Sequence, residues 1–161
     1  MISNNIIYVL TGEVKEALAP EALISNAIGS CVVVVFYSKI HRYGIMAHIM
    51  LPGEAPKNRK HKEMRYASNA LEFILETLKQ KHLTVDNFQV ALIGGATMIK
   101  NKKFDIGNEN INSIKEFLST KKIDICYQSL GGTNRRSAFL DLLLGKMEIV
   151  IGDNDKDIFI F

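Results

Sequence analysis

A thiol attacks as its thiolate, so a catalytic cysteine needs a base within hydrogen-bond reach. The chain offers two cysteines, Cys31 and Cys126, and four histidines, His41, His48, His61 and His82. Three of the histidines fall where solvent is expected. His41 lies in a polar turn, His61 in a basic loop, and His82 closes a helix, where a cation suits the helix dipole. His48 differs, because it interrupts the apolar run Ile45-Met-Ala-His-Ile-Met-Leu51. Cys31 opens an equally apolar run, Cys31-Val-Val-Val-Val-Phe-Tyr37. Taken separately, a strand cysteine reads as a small hydrophobe and a strand histidine as a satisfied core residue. Their register changes that. If the two runs form a hairpin turning at Lys39-Ile40, Ser38 faces His41, and Cys31 falls directly opposite His48 on one face. Their Cβ atoms would then be about 4.5–5.5 Å apart. Gly29 allows a close backbone approach just before the thiol. The Ser30 and Cys31 N–H groups there are candidates to hold an oxyanion.

The elements that must position this pair follow from periodicity. Ile6 to Leu10 reads as a short strand, Thr11 to Ala22 as a loop, and Leu23 to Ile28 as a strand. Cys31 to Tyr37 is β-branched and aromatic and too short for a helix, so it reads as a buried strand. Gly44 to Leu51 is its hairpin partner, stopped by Pro52. Pro52 to Lys62 is a loop. From Glu63 to Leu83 the apolar residues Met64, Ala67, Leu71, Ile74, Leu75 and Leu78 recur at helical spacing. Phe88 to Ile93 is a strand ending at Gly94-Gly95. Asn108 is the expected N-cap of a second helix carrying Ile111, Ile114, Phe117 and Leu118. Ile123 to Leu130 is a strand ending at Gly131-Gly132, and Ser137 to Leu144 with Lys146 to Ile151 form a hairpin around Gly145. The tail from 152 to 161 is an edge strand or a frayed end. Strands interrupted by two main helices imply an α+β fold, an α/β three-layer sandwich with mixed, largely antiparallel sheets. It reads as a single domain over residues 1–161.

Composition bounds the function. With 161 residues, 47% hydrophobic and 23% charged, the chain can bury a core without disulfide staples. Two cysteines make no disulfide framework, which suits a reducing, cytoplasmic setting. Twenty basic against 17 acidic residues, a net charge of +3, is too balanced for a protein that coats nucleic acid. The longest apolar run is far short of the ~18 residues a spanning helix needs, so no membrane insertion is expected.

Other chemistries fit less well. Cys31, His48 and Cys126 match no zinc spacing, and no C-x-x-C is present, so neither metal nor cofactor is expected. Alternation groups Cys126 with Asp124 and Gln128, and it reads as an inert thiol rather than a redox switch. Gly94-Gly95 lacks both the dinucleotide and the P-loop pattern.

Ile28-Gly-Ser-Cys-Val-Val-Val-Val-Phe-Tyr37 followed by Gly44-Ile-Met-Ala-His-Ile-Met-Leu-Pro52 resembles the CheD family, chemoreceptor glutamine deamidases of bacterial chemotaxis. Arg65-Tyr-Ala, Gly94-Gly-Ala-Thr-Met98, Asp105-Ile-Gly107 with Asn110, Gly131-Gly132 with Arg136, and Gly145-Lys146 agree in order, so the resemblance covers residues 6 to 151. It implies a cysteine hydrolase with Cys31 as nucleophile, His48 as base and Ser25 as the residue that orients it. Ser25 stands where the family has threonine, keeping the hydroxyl and losing the methyl. Thr133 and Ser68 stand where asparagine and an acidic residue are expected. Arg65 and Arg136 are expected to contact substrate or partner. The basic stretch Lys57, Arg59, Lys60, Lys62 and Arg65 is a solvated surface or a grip on acidic receptor helices. The resemblance also implies chemoreceptors and a CheC-type phosphatase as partners. Its alternative is a non-catalytic adaptor that binds receptor or phosphatase.

Overall fold

A strand that is apolar on both faces needs a packed layer on each side, and that requirement organises the molecule. The computed structural model of the chain describes residues 5–58, 63–100 and 103–161. The strands are β1 (Ile6–Tyr8), β2 (Val14–Leu18), β3 (Ala22–Ile28), β4 (Val32–Ser38), β5 (Tyr43–Ile49), β6 (Gln89–Gly94), β7 (Ile125–Leu130), β8 (Arg136–Asp141), β9 (Lys146–Ile151) and β10 (Asp155–Ile160). The helices are α1 (Ala67–Gln80) and α2 (Ile106–Thr120). One sheet has the order β2-β5-β4-β6-β7 and the other β1-β3-β8-β9-β10.

β4 lies at the centre of the first sheet, and every one of its residues is buried. Val32, Val34 and Phe36 face the helices, where they meet Ala70, Leu71 and Ile74 of α1 and Ile114 and Leu118 of α2. Val33, Val35 and Tyr37 face the second sheet and pack with Leu23, Leu140, Met147 and Ile149. The result is three layers: helices, sheet, sheet. The expected α+β sandwich is therefore found, with most pairings antiparallel and β1–β3 and β6–β7 parallel.

Three expectations need correction. The segment read as a loop from Thr11 holds β2, an edge strand pairing with β5. Val-Lys-Glu-Ala-Leu is largely exposed there, so it has no apolar run to announce it. The α2 cap is Asp105, whose carboxylate accepts the Asn108 N–H at 3.1 Å. Asn108 itself lies within the first turn. The hairpin register is also shifted. β4 and β5 are joined by a four-residue turn, Lys39–Arg42, with Ser38 paired to Tyr43 and Val33 to His48. A two-residue turn would need positive φ at Lys39, and in its type I′ form at β-branched Ile40 as well, whereas here Arg42 takes φ 46°. The tail forms β10 along β9, and Phe161 is buried against Tyr37. The basic residues Arg59, Lys60 and Lys62, and also His61, lie outside the described residues.

The end of β6 is built around backbone contact. Gly94 has φ +117°, and a Cβ there would stand 2.3 Å from the Cys31 carbonyl oxygen. Gly95 N–H donates to that same oxygen at 2.7 Å. Gly94→Ala is therefore expected to cost about 2 kcal/mol or more, from a conformation closed to L side chains plus a backbone clash. Urea denaturation measures it, and a loss below about 0.5 kcal/mol, the range of neutral surface changes, would contradict this packing.

Candidate active site

His48 projects from β5 into the layer between the sheets, on the face shared with its partner Val33. Cys31 precedes β4 by one residue and packs at the edge of the same inter-sheet core. The register difference is two residues, an even number, so both side chains keep the face the sequence implies. Cys31 is diagonal to His48 rather than opposite. Such diagonal positions are about 7–8 Å apart at Cα, a gap a long side chain spans. No hydrogen bond joins the thiol to the imidazole in this resting arrangement, as His48 Nε2 has no partner among the described residues.

Ser25 reaches His48 from the other sheet. It lies on β3 and is 1% exposed. Its Oγ is 2.8 Å from His48 Nδ1 and donates to the Val9 carbonyl oxygen at 2.8 Å. A hydroxyl has one proton. The Val9 oxygen can only accept, so the serine proton goes there and the imidazole must donate from Nδ1. That fixes the tautomer: Nδ1 carries the hydrogen and Nε2 is left with a free lone pair. His48 is 2% exposed, so this lone pair is both buried and unpaired. Leaving it so costs about 1–3 kcal/mol unless something uses it. The backbone around His48 is held too, with its carbonyl accepting from Gly12 at 2.8 Å and its N–H donating to Glu13 at 3.0 Å.

Burial sets the protonation states. It lowers His48 below its ordinary value of 6.5, a shift only partly offset by the Val9 carbonyl. It raises the Cys31 thiol, opposed by the residue's own N–H. Burial therefore disfavours charge on both groups, favouring a neutral thiol and a neutral imidazole over a thiolate–imidazolium pair.

The Ser30 and Cys31 N–H groups donate to no carbonyl among the described residues. Arg65 is half-buried. Its carbonyl accepts from Met50 at 2.9 Å and Leu51 at 2.8 Å, just past the end of β5, and its side chain lies over Gly12. Its guanidinium makes no hydrogen bond or ion pair among the described residues. Arg136, expected at a contact surface, is instead buried. It donates to Ser129 Oγ at 3.0 Å and to the carbonyls of Gly131 at 2.8 Å and Asn134 at 3.3 Å. With those bonds it staples the glycine loop. Cys126 is far from the pair in the sheet. It is the extra residue of the β6–β7 bulge, exposed, with Sγ 3.1 Å from the Val90 carbonyl. No group of three or more His, Cys, Asp or Glu residues that could hold a metal occurs among the described residues. Among the described residues no helix is long and apolar enough to cross a membrane.

The family model for CheD chemotactic sensory transduction matches residues 50–150. The chain belongs to the CheD family. The chemoreceptor glutamine deamidase CheD of Thermotoga maritima is 30% identical over 136 residues, covering 84% of this chain and 85% of that protein. The probable chemoreceptor glutamine deamidases CheD of Chlorobium luteolum and Desulforamulus reducens are 31% and 32% identical. The first alignment covers 91% of this chain and 73% of that protein, the second 84% of each. The family model begins just past β5 and so leaves out Cys31 and His48. The C. luteolum alignment is long enough to run through the β4–β5 hairpin of this CheD chain.

Sequence reasoning missed the Val9 carbonyl, a backbone group that no residue type announces. In the sequence Asn110 stands only as part of a motif. Its signal is a polar residue on the apolar stripe of α2, in step with buried Ile114 and Leu118.

Because burial raises the thiol, alkylation of Cys31 by iodoacetamide is expected to climb through alkaline pH, following the thiolate fraction. A mass-spectrometric rate profile reads it, and a plateau already reached at pH 6–7 would show a preformed thiolate instead.

Proposed function

We propose that this chain is a chemoreceptor glutamine deamidase that converts receptor glutamine side chains to glutamate and ammonia through a thioester on Cys31. The observation that carries the reading is the buried, unpaired Nε2 of His48, held by Ser25 and facing the side of the hairpin on which Cys31 lies. A pure adaptor has no use for a base stored at that cost. The printed names of the relatives supply the substrate class.

The chemistry follows from the protonation states. His48 Nε2 takes the proton from Cys31 Sγ as the sulfur closes on the glutamine amide carbon. The carbonyl oxygen becomes an oxyanion, held by the N–H groups of Ser30 and Cys31, a contribution of about 10²–10³ in rate. The imidazolium, with Nδ1–H directed at Ser25, then protonates the leaving nitrogen and ammonia departs. His48 next takes a proton from water, which attacks the thioester carbonyl. The C–S bond breaks, glutamate forms, and the proton returns to the sulfur. Arg65, whose side chain lies over Gly12 and whose guanidinium is unpaired among the described residues, meets acidic groups on the receptor helix. The enzyme works in the cytoplasm on chemoreceptors, and a CheC-type phosphatase is its second partner, as the family resemblance implies.

Cys31→Ala is expected to abolish ammonia release from a receptor fragment and the roughly 1 Da gain of Gln→Glu, the acyl-transfer outcome. Retention of the wild-type rate by that variant would sink the reading. Ser25→Ala is expected to lower kcat about tenfold, the worth of one neutral hydrogen bond that orients the base. The base acts when neutral, and burial lowers His48 from its ordinary value. kcat/KM should therefore be flat through neutrality and fall only at lower pH, so an acid limb centred near pH 7 would contradict the assignment of His48.

A further inference from the structure

Asn110 is fully buried on α2 and its amide is used unevenly. Nδ2 donates to the Ser30 carbonyl at 3.0 Å and to the Met50 carbonyl at 3.0 Å, while Oδ1 is buried with no partner among the described residues. Two carbonyls can only accept, so the orientation of the amide is fixed. One side chain thus ties the residue before the thiol to the end of the strand that carries His48. It does so at the cost of an orphaned buried oxygen.

The peptide plane it grips is the informative one. Ser30 C=O and Cys31 N–H belong to a single trans peptide, in which the two bonds point in opposite directions. Drawing the carbonyl toward α2 turns the Cys31 N–H away from α2, toward the side where the thiol packs. The residue's own N–H is accordingly among the influences on the thiol. The neighbouring planes are pinned in the same way. Ala96 N–H holds the Gly29 carbonyl at 2.9 Å and Gly95 N–H holds that of Cys31 at 2.7 Å. Those two pins are backbone groups. Among the described residues, Asn110 is the side chain that sets the middle plane.

We propose that Asn110 is the positioning residue of the oxyanion site, aiming the Cys31 N–H at the developing charge through the Ser30 carbonyl. The inference rests on Cys31 accepting acyl groups, as proposed above, and applies to any acyl transfer to it. It separates two reactions of one thiol. Alkylation by iodoacetamide needs the thiolate but builds no oxyanion. Acylation by p-nitrophenyl acetate does build one: the sulfur attacks the carbonyl carbon, the thiol proton passes to His48, the bond to p-nitrophenolate breaks, and an acetyl thioester remains.

The test measures both rates on Cys31 at one alkaline pH in wild type, Asn110→Leu, which keeps the side-chain shape, and Asn110→Ala. Acylation is expected to fall about 10- to 100-fold in both variants, up to the loss seen on removing an oxyanion donor. Alkylation should stay within about twofold, and kcat for deamidation should track acylation at unchanged KM. Unchanged acylation, or equal loss of both rates, would overturn the assignment. Wild type that is acylated on Cys31 yet leaves receptor glutamines intact would refute the deamidase reading while leaving this test valid. Wild type that resists acylation would refute both.

Discussion

One serine hydroxyl decides what the histidine of this site can do. Ser25 has a single proton and spends it on the Val9 carbonyl, so it can meet His48 only as an acceptor. The imidazole is thereby held with its lone pair on Nε2. The contact also crosses from one sheet to the other, since Ser25 lies on β3 and His48 on β5. Sheet packing and site chemistry thus share an atom. A shift of the sheets by an ångström would lengthen a 2.8 Å bond and free the tautomer. The inter-sheet core, with Leu23 beside Ser25 on one side and Val33 opposite His48 on the other, is the device that prevents it.

Burial shapes the pair in a way that composition does not suggest. Placing both groups at the rim of an apolar layer disfavours charge on either one, lowering the imidazole and raising the thiol. Burial favours the neutral form of each group. In the proposed cycle, charge appears only when substrate arrives, and preset dipoles then receive it. The turn from Gly29 to Cys31 is fixed for that purpose by Ala96, Asn110 and Gly95, three groups from outside the hairpin.

Much of this is legible in the sequence, for identifiable reasons. The apolar run from Cys31 to Tyr37 announces a strand buried on both faces, and the change of period at Glu63 announces α1. The shared face of Cys31 and His48 survives a wrong turn length because strand faces alternate with period two, so an even slip leaves them unchanged. The direct opposition of the pair does not survive, because the turn is four residues long and takes its positive φ at Arg42, a residue type that does not announce it. β2 is hidden because an exposed edge strand carries Lys15 and Glu16 rather than an apolar run. Arg136 resembles a surface cation in sequence, and only the fold reveals the carbonyls that consume its guanidinium. The Val9 acceptor is backbone, and side-chain patterns carry no information about it.

In the proposed mechanism His48 is a neutral base with its proton on Nδ1. A long-range proton–nitrogen correlation spectrum of protein labelled with 15N-histidine reads that directly at pH 7. A protonated Nδ1 and a bare Nε2 are expected for His48, with the pattern lost in Ser25→Ala. A proton on Nε2, or an imidazolium at that pH, would contradict it.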